Sequence, residues 1–85
     1  PGPARRPAPA LDGLLGSPRA AVLRALDQPV TAGALAARLV LAPSSVTHHL
    51  AALERAGLIR RERVGQRVYV HRRSRGTALL NLYEP

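Results

Sequence analysis

Apolar residues recur at helical spacing along the first two thirds of the chain. The longest such pattern covers residues 43–58, PSSVTHHLAALERAGL, and predicts a helix of roughly four turns. Pro43 suits the first helical position, and Gly57 is typical of a helix end. One side of this helix is an apolar stripe that contains Val46, His49, Leu50, Leu53 and Gly57. The opposite, polar side contains Ser44, His48, Ala51 and Arg55. Small hydroxyls and an imidazole on the outer side suit close approach to another molecule.

Two shorter helices are predicted ahead of this one. The first covers about residues 17–27 and begins with Ser17 as its N-cap, followed by a proline. The second is capped by Thr31 and covers about residues 32–39. Residues 40–42 then form a tight turn into the longest helix. Two helices joined by such a turn, the second with a polar outer face, are the helix-turn-helix signature.

A β-hairpin and a last helix complete the pattern. Two β-biased runs, residues 59–64 and 67–72, are separated by Gly65-Gln66, where glycine can supply the positive φ of a tight hairpin. Ser74 or Thr77 can cap a last helix, which contains Ala78, Leu79, Leu80, Leu82 and Tyr83. Because that helix is short and apolar, we expect it to pack on the first helices or on another subunit.

Positive charge is concentrated in the hairpin. The 85-residue chain has a formal net charge of +8, and its basic charge comes entirely from arginine because lysine is absent. Residues 60–75 hold seven arginines against a single acid, Glu62. Charge on an edge hairpin also protects against edge-to-edge aggregation, but mixed charge would serve that purpose equally well. The basic hairpin therefore favours a polyanionic partner over solubility alone.

One stretch carries a family resemblance. The run Ser44-Ser45-Val46-Thr47-His48-His49-Leu50, then Leu53, then Glu54-Arg55-Ala56-Gly57-Leu58-Ile59 resembles the recognition helix of ArsR-type winged-helix repressors. The flanking elements extend the resemblance over about residues 17–82. Ala42 stands where the family has a hydroxyl N-cap, and Val40 where it has a turn glycine. The implied fold is α+β, mostly α: a winged helix-turn-helix with a three-helix core, a two-stranded β-hairpin wing and a C-terminal helix.

The resemblance implies a function and a set of contact residues. It implies a bacterial, sequence-specific transcription regulator of repressor type that binds duplex DNA. The recognition helix, about residues 43–56, would enter the major groove, and the Arg-rich wing, residues 59–73, would lie on the backbone or in a minor groove. The predicted DNA contacts are Ser44, Ser45, Thr47 and His48 at base edges, Arg55 at a phosphate, and Arg61, Arg63, Gln66 and Arg67 in the wing. His49, beside the apolar stripe, is expected to be packed and hydrogen-bonded.

The sequence gives little support for metal sensing or for catalysis. The thiolate sensor sites of the ArsR family need cysteines, and the chain has none. The family's other sites use His and carboxylates on the last helix, where only Glu84 stands. His48 and His49 project about 100° apart on a helix and cannot chelate one ion together. Ser44 near His48 has no third residue to orient it as a nucleophile, so we expect no metal, no cofactor and no enzyme activity.

The ends of the chain give further expectations. Residues 1–10, PGPARRPAPA, are expected to be a disordered Pro/Ala/Arg-rich arm or an interdomain linker, and residues 11–85 the winged-helix domain. A start without Met suggests a piece of a larger protein. The cluster of Leu11, Leu14 and Leu15 can pair with the last helix in a homodimer, as the terminal helices of ArsR-like proteins do. Equally, these leucines can complete the core of a monomer.

The sequence also indicates a location and allows two alternative functions. Without an apolar run of about 18 residues or a signal-peptide core, the simplest expectation is a soluble cytoplasmic protein without membrane contact. The main alternative function is a winged-helix protein–protein interaction module, in which the Arg-rich hairpin binds an acidic partner. A binder of structured RNA is less favoured, since the two tyrosines, one of them in the hairpin, cannot form a stacking platform.

Overall fold

The structure, a computed structural model, describes residues 10–84. The predicted arm over residues 1–10 lies outside the described residues except for Ala10, which begins the first helix. Within the described range, five helices and three strands follow one another: α1 (Ala10–Leu15), α2 (Ser17–Arg24), β1 (Val30–Thr31), α3 (Ala32–Leu39), α4 (Pro43–Arg55), β2 (Ile59–Val64), β3 (Arg67–Arg72) and α5 (Ser74–Tyr83).

The two ends of α2 differ from the prediction. Gly16, with φ of 90°, is the N-cap, so Ser17 is already helical and its predicted capping role is wrong. The Ser17 hydroxyl instead donates a hydrogen bond to the Asp12 carboxylate at 3.1 Å. A glycine can adopt this backbone conformation at little cost, which lets α2 begin one residue earlier. The helix ends at Arg24, and residues 25–27 continue as a turn.

The helix-turn-helix is formed by α3 and α4. Thr31 caps α3 as predicted, because its hydroxyl oxygen accepts a hydrogen bond from the Ala34 amide at 3.1 Å. Val40, the C-cap of α3, lies in the left-handed region with φ of 55°. Pro43 begins α4, and Gly57, with φ of 77°, follows its end. The predicted turn and the bounds of the recognition helix are confirmed.

The hairpin belongs to a three-stranded antiparallel sheet of order β1-β3-β2. Strands β2 and β3 have the predicted bounds, and Gly65 in their two-residue turn has φ of 63°. The short strand β1 adds to β3, with Val30 opposite Val70 and Thr31 opposite Tyr69. Two residues are too few to show a strand period, so the sequence pattern predicted only the two strands of the hairpin.

A single apolar cluster holds these elements together. The side chains with at most 2 % exposure include Leu11, Leu23, Leu35, Val46, Leu50, Leu53, Ile59 and Val70. Each of α1, α2, α3, α4, β2 and β3 contributes to this set. Val22, Leu23 and Leu26, the predicted stripe of the first helix, are buried, although Leu26 lies in the turn after α2. Ser74 and Thr77 do not cap α5, whose N-cap is Arg73, and the Thr77 hydroxyl accepts from Arg72 instead.

Close packing and one ion cluster fix α5 on the other helices. Gly76 allows the approach, because a Cβ there would stand 2.4 Å from the Leu58 carbonyl oxygen. At the far end of α5, the Arg24 guanidinium forms ion pairs with both Asp12 and Glu84. These hydrogen bonds lower the pKa of both carboxyls and raise that of the guanidinium. None of the helices in residues 10–84 has the length and apolar character needed to cross a membrane.

Candidate nucleic-acid interface

The outer face of α4 exposes short polar side chains. Val46, Leu50 and Leu53 anchor the inner face of the helix in the core. Ser44, Thr47 and His48 are exposed, and Ser45 is half-buried. Hydroxyls and an imidazole reach only a short distance, so a surface of this kind can hydrogen-bond a partner only if the helix backbone comes close to it. The α-helix as a whole has the width that a DNA major groove admits.

Two polar contacts hold the opposite flanks of α4. On a helical wheel, Ser45 and His49 lie on one flank, while Thr47 and Glu54 lie on the other. The first flank is joined to α2, because Arg19 Nε donates to His49 Nδ1 at 3.2 Å. The second is joined to β2, because Glu54 pairs with Arg61. The exposed face between these two flanks is therefore held at a fixed orientation relative to α2 and to the hairpin.

The contact of His49 defines its protonation state. A nitrogen that accepts from a guanidinium carries no proton, so Nδ1 is bare and the neutral ring carries its proton on Nε2. Burial lowers the pKa of His49, and the charges of Arg19 and His48 lower it further. The expectation of a packed, hydrogen-bonded histidine is confirmed, and its partner is Arg19.

The pair of Glu54 and Arg61 joins the last turn of α4 to the hairpin. Arg61 Nε donates to Glu54 Oε1 at 2.9 Å, and the Arg61 amide donates to Glu54 Oε2 at 3.3 Å. The side-chain hydrogen bond from Arg61 is the largest cause that lowers the pKa of the Glu54 carboxyl. The charge of Arg61 is thus balanced within the protein, unlike that of the other predicted wing arginines.

The hairpin of β2 and β3, called the wing from here on, carries its basic residues on both faces. Residues directly opposite in an antiparallel pair share a face. Arg61 is opposite Val70 and Arg63 is opposite Val68, so both arginines lie on the face of the buried Val70. Arg67 pairs with Val64 on the other face. With Gln66 and Thr31, Arg67 lines an open groove of about 370 Å³ between the wing and the start of α3.

The single acid of the wing is balanced locally. Glu62 Oε1 lies 2.9 Å from His71 Nε2 and 3.8 Å from a terminal nitrogen of Arg60. Arg63 and Arg67 are exposed, and neither forms an ion pair with any residue that the structure describes. The tip of the wing is therefore the exposed part of the hairpin whose positive charge has no acidic partner.

Not every arginine counted in the basic run faces outward. Arg72 Nε donates to the Thr77 hydroxyl at 3.1 Å, and one of its terminal nitrogens donates to the Leu23 carbonyl at 3.0 Å. This residue ties β3 to α2 and α5. Arg55, on the other hand, is exposed in the last turn of α4, where the helix dipole also favours a cation.

Two basic residues near α4 were not identified from the sequence. Arg19 is separated from His49 by 30 positions, so no local pattern could reveal their contact. Arg38 is exposed in the last turn of α3, directly before the turn into α4. Its position at the start of the helix-turn-helix turn was a signal that could have been used.

Comparison with known proteins identifies the class of this domain. The chain belongs to a helix-turn-helix domain family, whose model matches residues 17–62, more than half of the chain. This match extends from α2 into β2 and includes all of α3 and α4. No curated protein sequence matches the chain.

Solved structures of transcriptional regulators share the fold. HlyU of Vibrio vulnificus is 31% identical, with a TM-score of 0.73 over 86% of this chain and 78% of that one. Reduced HlyU of Vibrio cholerae is 29% identical, with a TM-score of 0.74 over 86% and 79% of the two chains. BldR of Sulfolobus solfataricus is 28% identical, with a TM-score of 0.79 over 86% of this chain and 57% of BldR.

These findings establish the fold and the general function. The domain is a winged helix-turn-helix, in which α4 is the recognition helix of the helix-turn-helix and the hairpin is the wing. It is a DNA-binding transcription regulator, a class of protein that is not enzymatic. The predicted fold class and the predicted general function are confirmed.

Proposed function

We propose that this protein is a bacterial, ArsR-like regulator of repressor type that binds its operator with α4 in the major groove. One observation carries the proposal: the exposed short polar face of α4 lies beside a wing whose tip has uncompensated positive charge. The resemblance of residues 44–59 to ArsR-type recognition helices and the likeness to HlyU support it. Because a bacterial operator is part of the chromosome, the protein acts in the cytoplasm.

Base recognition is assigned to the first turns of α4. Ser44 and His48 are one helical turn apart on the exposed face, while Ser45 and Thr47 stand towards its two flanks. Hydroxyls can donate to or accept from base edges, and the methyl group of Thr47 can contact a thymine methyl group. The short side chains require a close fit of the helix in the groove and give a modest sequence preference.

Phosphate contacts are assigned to the arginines around α4. Arg55 contacts a phosphate beyond the end of α4. At the wing, Arg63, Gln66 and Arg67 contact the sugar–phosphate backbone of the DNA or the edge of its minor groove. Arg61 keeps its pair with Glu54 and directs only its remaining donors to the DNA. Such contacts are independent of sequence and supply most of the affinity.

A homodimer through the terminal helices completes the proposal. Leu14 on α1 and Leu82 on α5 are 59% and 74% exposed, and Tyr83 is 41% exposed, so the ends of the fold present apolar surface. Burying this surface against a second copy would remove it from water. A two-fold dimer binds half-sites about one helical turn of DNA apart, roughly 34–36 Å, so the operator should be an inverted repeat.

The proposal is tested by the salt dependence of binding to duplex DNA. Fluorescence anisotropy with a random-sequence duplex should give a log–log slope near −5 if about six phosphates are neutralised per protomer, and twice that for a dimer. Sedimentation of the free protein reports its oligomeric state. A slope shallower than about −2 would contradict phosphate engagement on this scale and would favour an acidic protein partner instead.

Sequence preference is tested separately, on a site selected from a random library. Ser45→Ala and His48→Ala should change the ratio of affinities for the selected and the random duplex. The matched control is Ser74→Ala, an exposed serine at the start of α5, which should leave that ratio unchanged. An unchanged ratio in all three variants would remove these residues from base recognition.

A further inference from the structure

Arg19 occupies an unusual position in the first turn of α2. The residue is half-buried, and its Nε donates to Nδ1 of His49 on α4 at 3.2 Å. A guanidinium has five N–H donors, and this hydrogen bond uses one of them. In the part of the chain that the structure describes, the terminal nitrogens of Arg19 make no further hydrogen bond or ion pair.

The other half-buried arginines have partners on their terminal nitrogens. Arg24 pairs with two carboxylates through one terminal nitrogen, and a terminal nitrogen of Arg72 donates to the Leu23 carbonyl. A half-buried cation without an acidic partner is unfavourable unless water or a ligand supplies the missing acceptors. Among the half-buried arginines of residues 10–84, Arg19 is therefore the one whose two terminal nitrogens both lack a partner.

The surroundings of Arg19 are basic as well. His49 accepts its Nε–H, and the ring of His48 lies 5.6 Å from that of His49 between centroids. The first turn of α2 contains no acid, although the positive end of a helix dipole favours one. The Asp12 carboxylate beside the start of α2 accepts from the Ser17 hydroxyl and pairs with Arg24, not with Arg19. An anion at Arg19 would meet a guanidinium and two nearby imidazoles, with no carboxylate paired to that guanidinium.

The position of Arg19, His48 and His49 in the fold indicates which anion they would bind. Arg19 lies at the flank of α4 that carries Ser45 and His49, opposite the flank that faces the wing. When a recognition helix fills a major groove, the two sugar–phosphate strands bound the groove on either side of it. The wing arginines lie on one flank of α4, and Arg19 lies on the other.

We propose that the terminal nitrogens of Arg19 bind a backbone phosphate of the operator, on the strand opposite the one that the wing contacts. His49 is the positioning residue, because its bare Nδ1 holds Nε of Arg19 and so aims the remaining donors away from the protein. This inference rests on the proposed placement of α4 in the major groove. It adds α2 to the wing and Arg55 as a source of phosphate contacts.

The test compares the salt dependence of binding for variants of the whole chain on a random-sequence duplex. Arg19→Ala should weaken binding to random and selected duplexes by the same factor and make the log–log slope shallower by about 0.9 per protomer. Arg19→Lys keeps a cation and should retain most of the slope. The charge-matched control is Gln28→Glu, an exposed position beyond the other end of α2, which should leave the slope close to that of the wild type.

The positioning role of His49 has its own readout. His49→Leu removes the acceptor and should weaken binding, whereas His49→Asn should restore it because the amide oxygen can replace Nδ1 as acceptor. In the double variant Arg19→Ala/His49→Leu, the second substitution should cost no further affinity. Thermal unfolding of each variant checks that the fold is intact, so that only folded proteins enter the comparison.

Two failures can be told apart. If the wild type itself shows no salt-dependent binding, the proposed function fails. If the wild type binds steeply but Arg19→Ala keeps both its affinity and its slope, or changes no more than Gln28→Glu, the phosphate site at Arg19 is overturned while the regulator remains. Equal loss in His49→Asn and His49→Leu would overturn the positioning role.

Discussion

Glu54 and Arg61 connect the recognition helix directly to the wing. The carboxylate accepts from both the guanidinium and the main-chain amide of Arg61, at 2.9 and 3.3 Å. The same contact places a negative charge at the edge of a surface that is otherwise basic. Glu54 therefore both positions the wing and reduces the attraction of this edge for phosphates.

Replacing Glu54 by Gln should separate these two effects. The amide oxygen still accepts from Arg61, so the wing stays in place, while the loss of the negative charge frees Arg61 for a phosphate. Because both side chains are about one third exposed, at 37% and 33%, the free energy of unfolding should change by less than about 1 kcal/mol. Affinity for a random duplex should rise, with a slope steeper by up to about 0.9.

The control for this variant is Asp27→Asn, which removes one acid from the exposed turn after α2. Its affinity for DNA should stay near that of the wild type. Equal increases in the two variants would show that net charge, and not the release of Arg61, is responsible.

The wing arginines should contribute independently of each other. Arg63 and Arg67 lie on opposite faces of the wing and share no partner, so the effects of Arg63→Ala and Arg67→Ala should add. The double variant should bind all duplexes more weakly by a common factor, with a slope shallower by about 1.8 per protomer. Anisotropy titrations over a range of salt concentrations measure both quantities, and normal binding by the double variant would refute the wing assignment.

Arg72 lies on β3 like Arg67, but its side chain has a different role. Its hydrogen bonds to the Leu23 carbonyl and the Thr77 hydroxyl point into the fold. Arg72→Ala should therefore lower the free energy of unfolding by about 1.5–3 kcal/mol, as expected for lost hydrogen bonds of a charged group. Chemical denaturation measures this loss, and a stable variant with weakened DNA binding would instead place Arg72 at the interface.

Val40 stores backbone strain in the turn before α4. A β-branched residue at φ of 55° is disfavoured, and the side chain is 88% exposed, so it contributes little packing in return. Val40→Gly should raise the free energy of unfolding by about 1 kcal/mol, after part of the gain is offset by the greater freedom of glycine in the unfolded chain. Val40→Ala keeps the strained φ and should gain less. Destabilisation by Val40→Gly would show that the valine side chain itself supports the turn.

The ion cluster around Arg24 should make the fold sensitive to acid. Hydrogen bonds from Arg24 lower the pKa of both Asp12 and Glu84, so the unfolded chain binds protons at these carboxyls more readily than the folded one. Their contribution to stability is complete above the ordinary carboxyl range, near pH 4, and is lost as the pH falls through the lowered values. Denaturation midpoints between pH 6 and pH 3 should show this loss.

Arg24→Ala should flatten the acid dependence without abolishing it. Glu54 retains a lowered pKa through Arg61, so one carboxyl still contributes in the same pH range. His49, whose pKa is lowered mainly by burial, adds a separate loss that begins at higher pH, below about 6.5. An acid profile in Arg24→Ala identical to that of the wild type would contradict the assigned role of the cluster.

The sequence predicted the parts of the fold that have a clear period. The apolar spacing in residues 43–58, the cap at Thr31 and the two β-biased runs around Gly65 gave α4, the start of α3 and the wing with their observed bounds. The errors lie where one or two residues decide how an element begins or whether it forms. Gly16 took the capping role expected of Ser17, and β1 is too short to show a pattern of its own.

The candidate site was predictable in its residue types but not in its connections. The resemblance indicated the helix and the wing, whereas the partners of their side chains depend on the three-dimensional packing. His49 meets Arg19 across 30 positions, and Arg24 meets Glu84 across 60. The charge run of residues 60–75 also overstated the outward charge, because the sequence cannot tell the inward-facing Arg72 from the exposed Arg63.

The convergence of Asp12 and Glu84 on Arg24 also has a topological consequence. The two acids stand near opposite ends of the described chain, so their common cation closes almost all of it into one non-covalent ring. Closing a long loop limits the freedom of every segment within it, and opening it releases α1 and the end of α5 at the same time. Loss of the Arg24 side chain should therefore loosen both ends of the fold, which amide hydrogen exchange of Arg24→Ala would register as reduced protection of both helices.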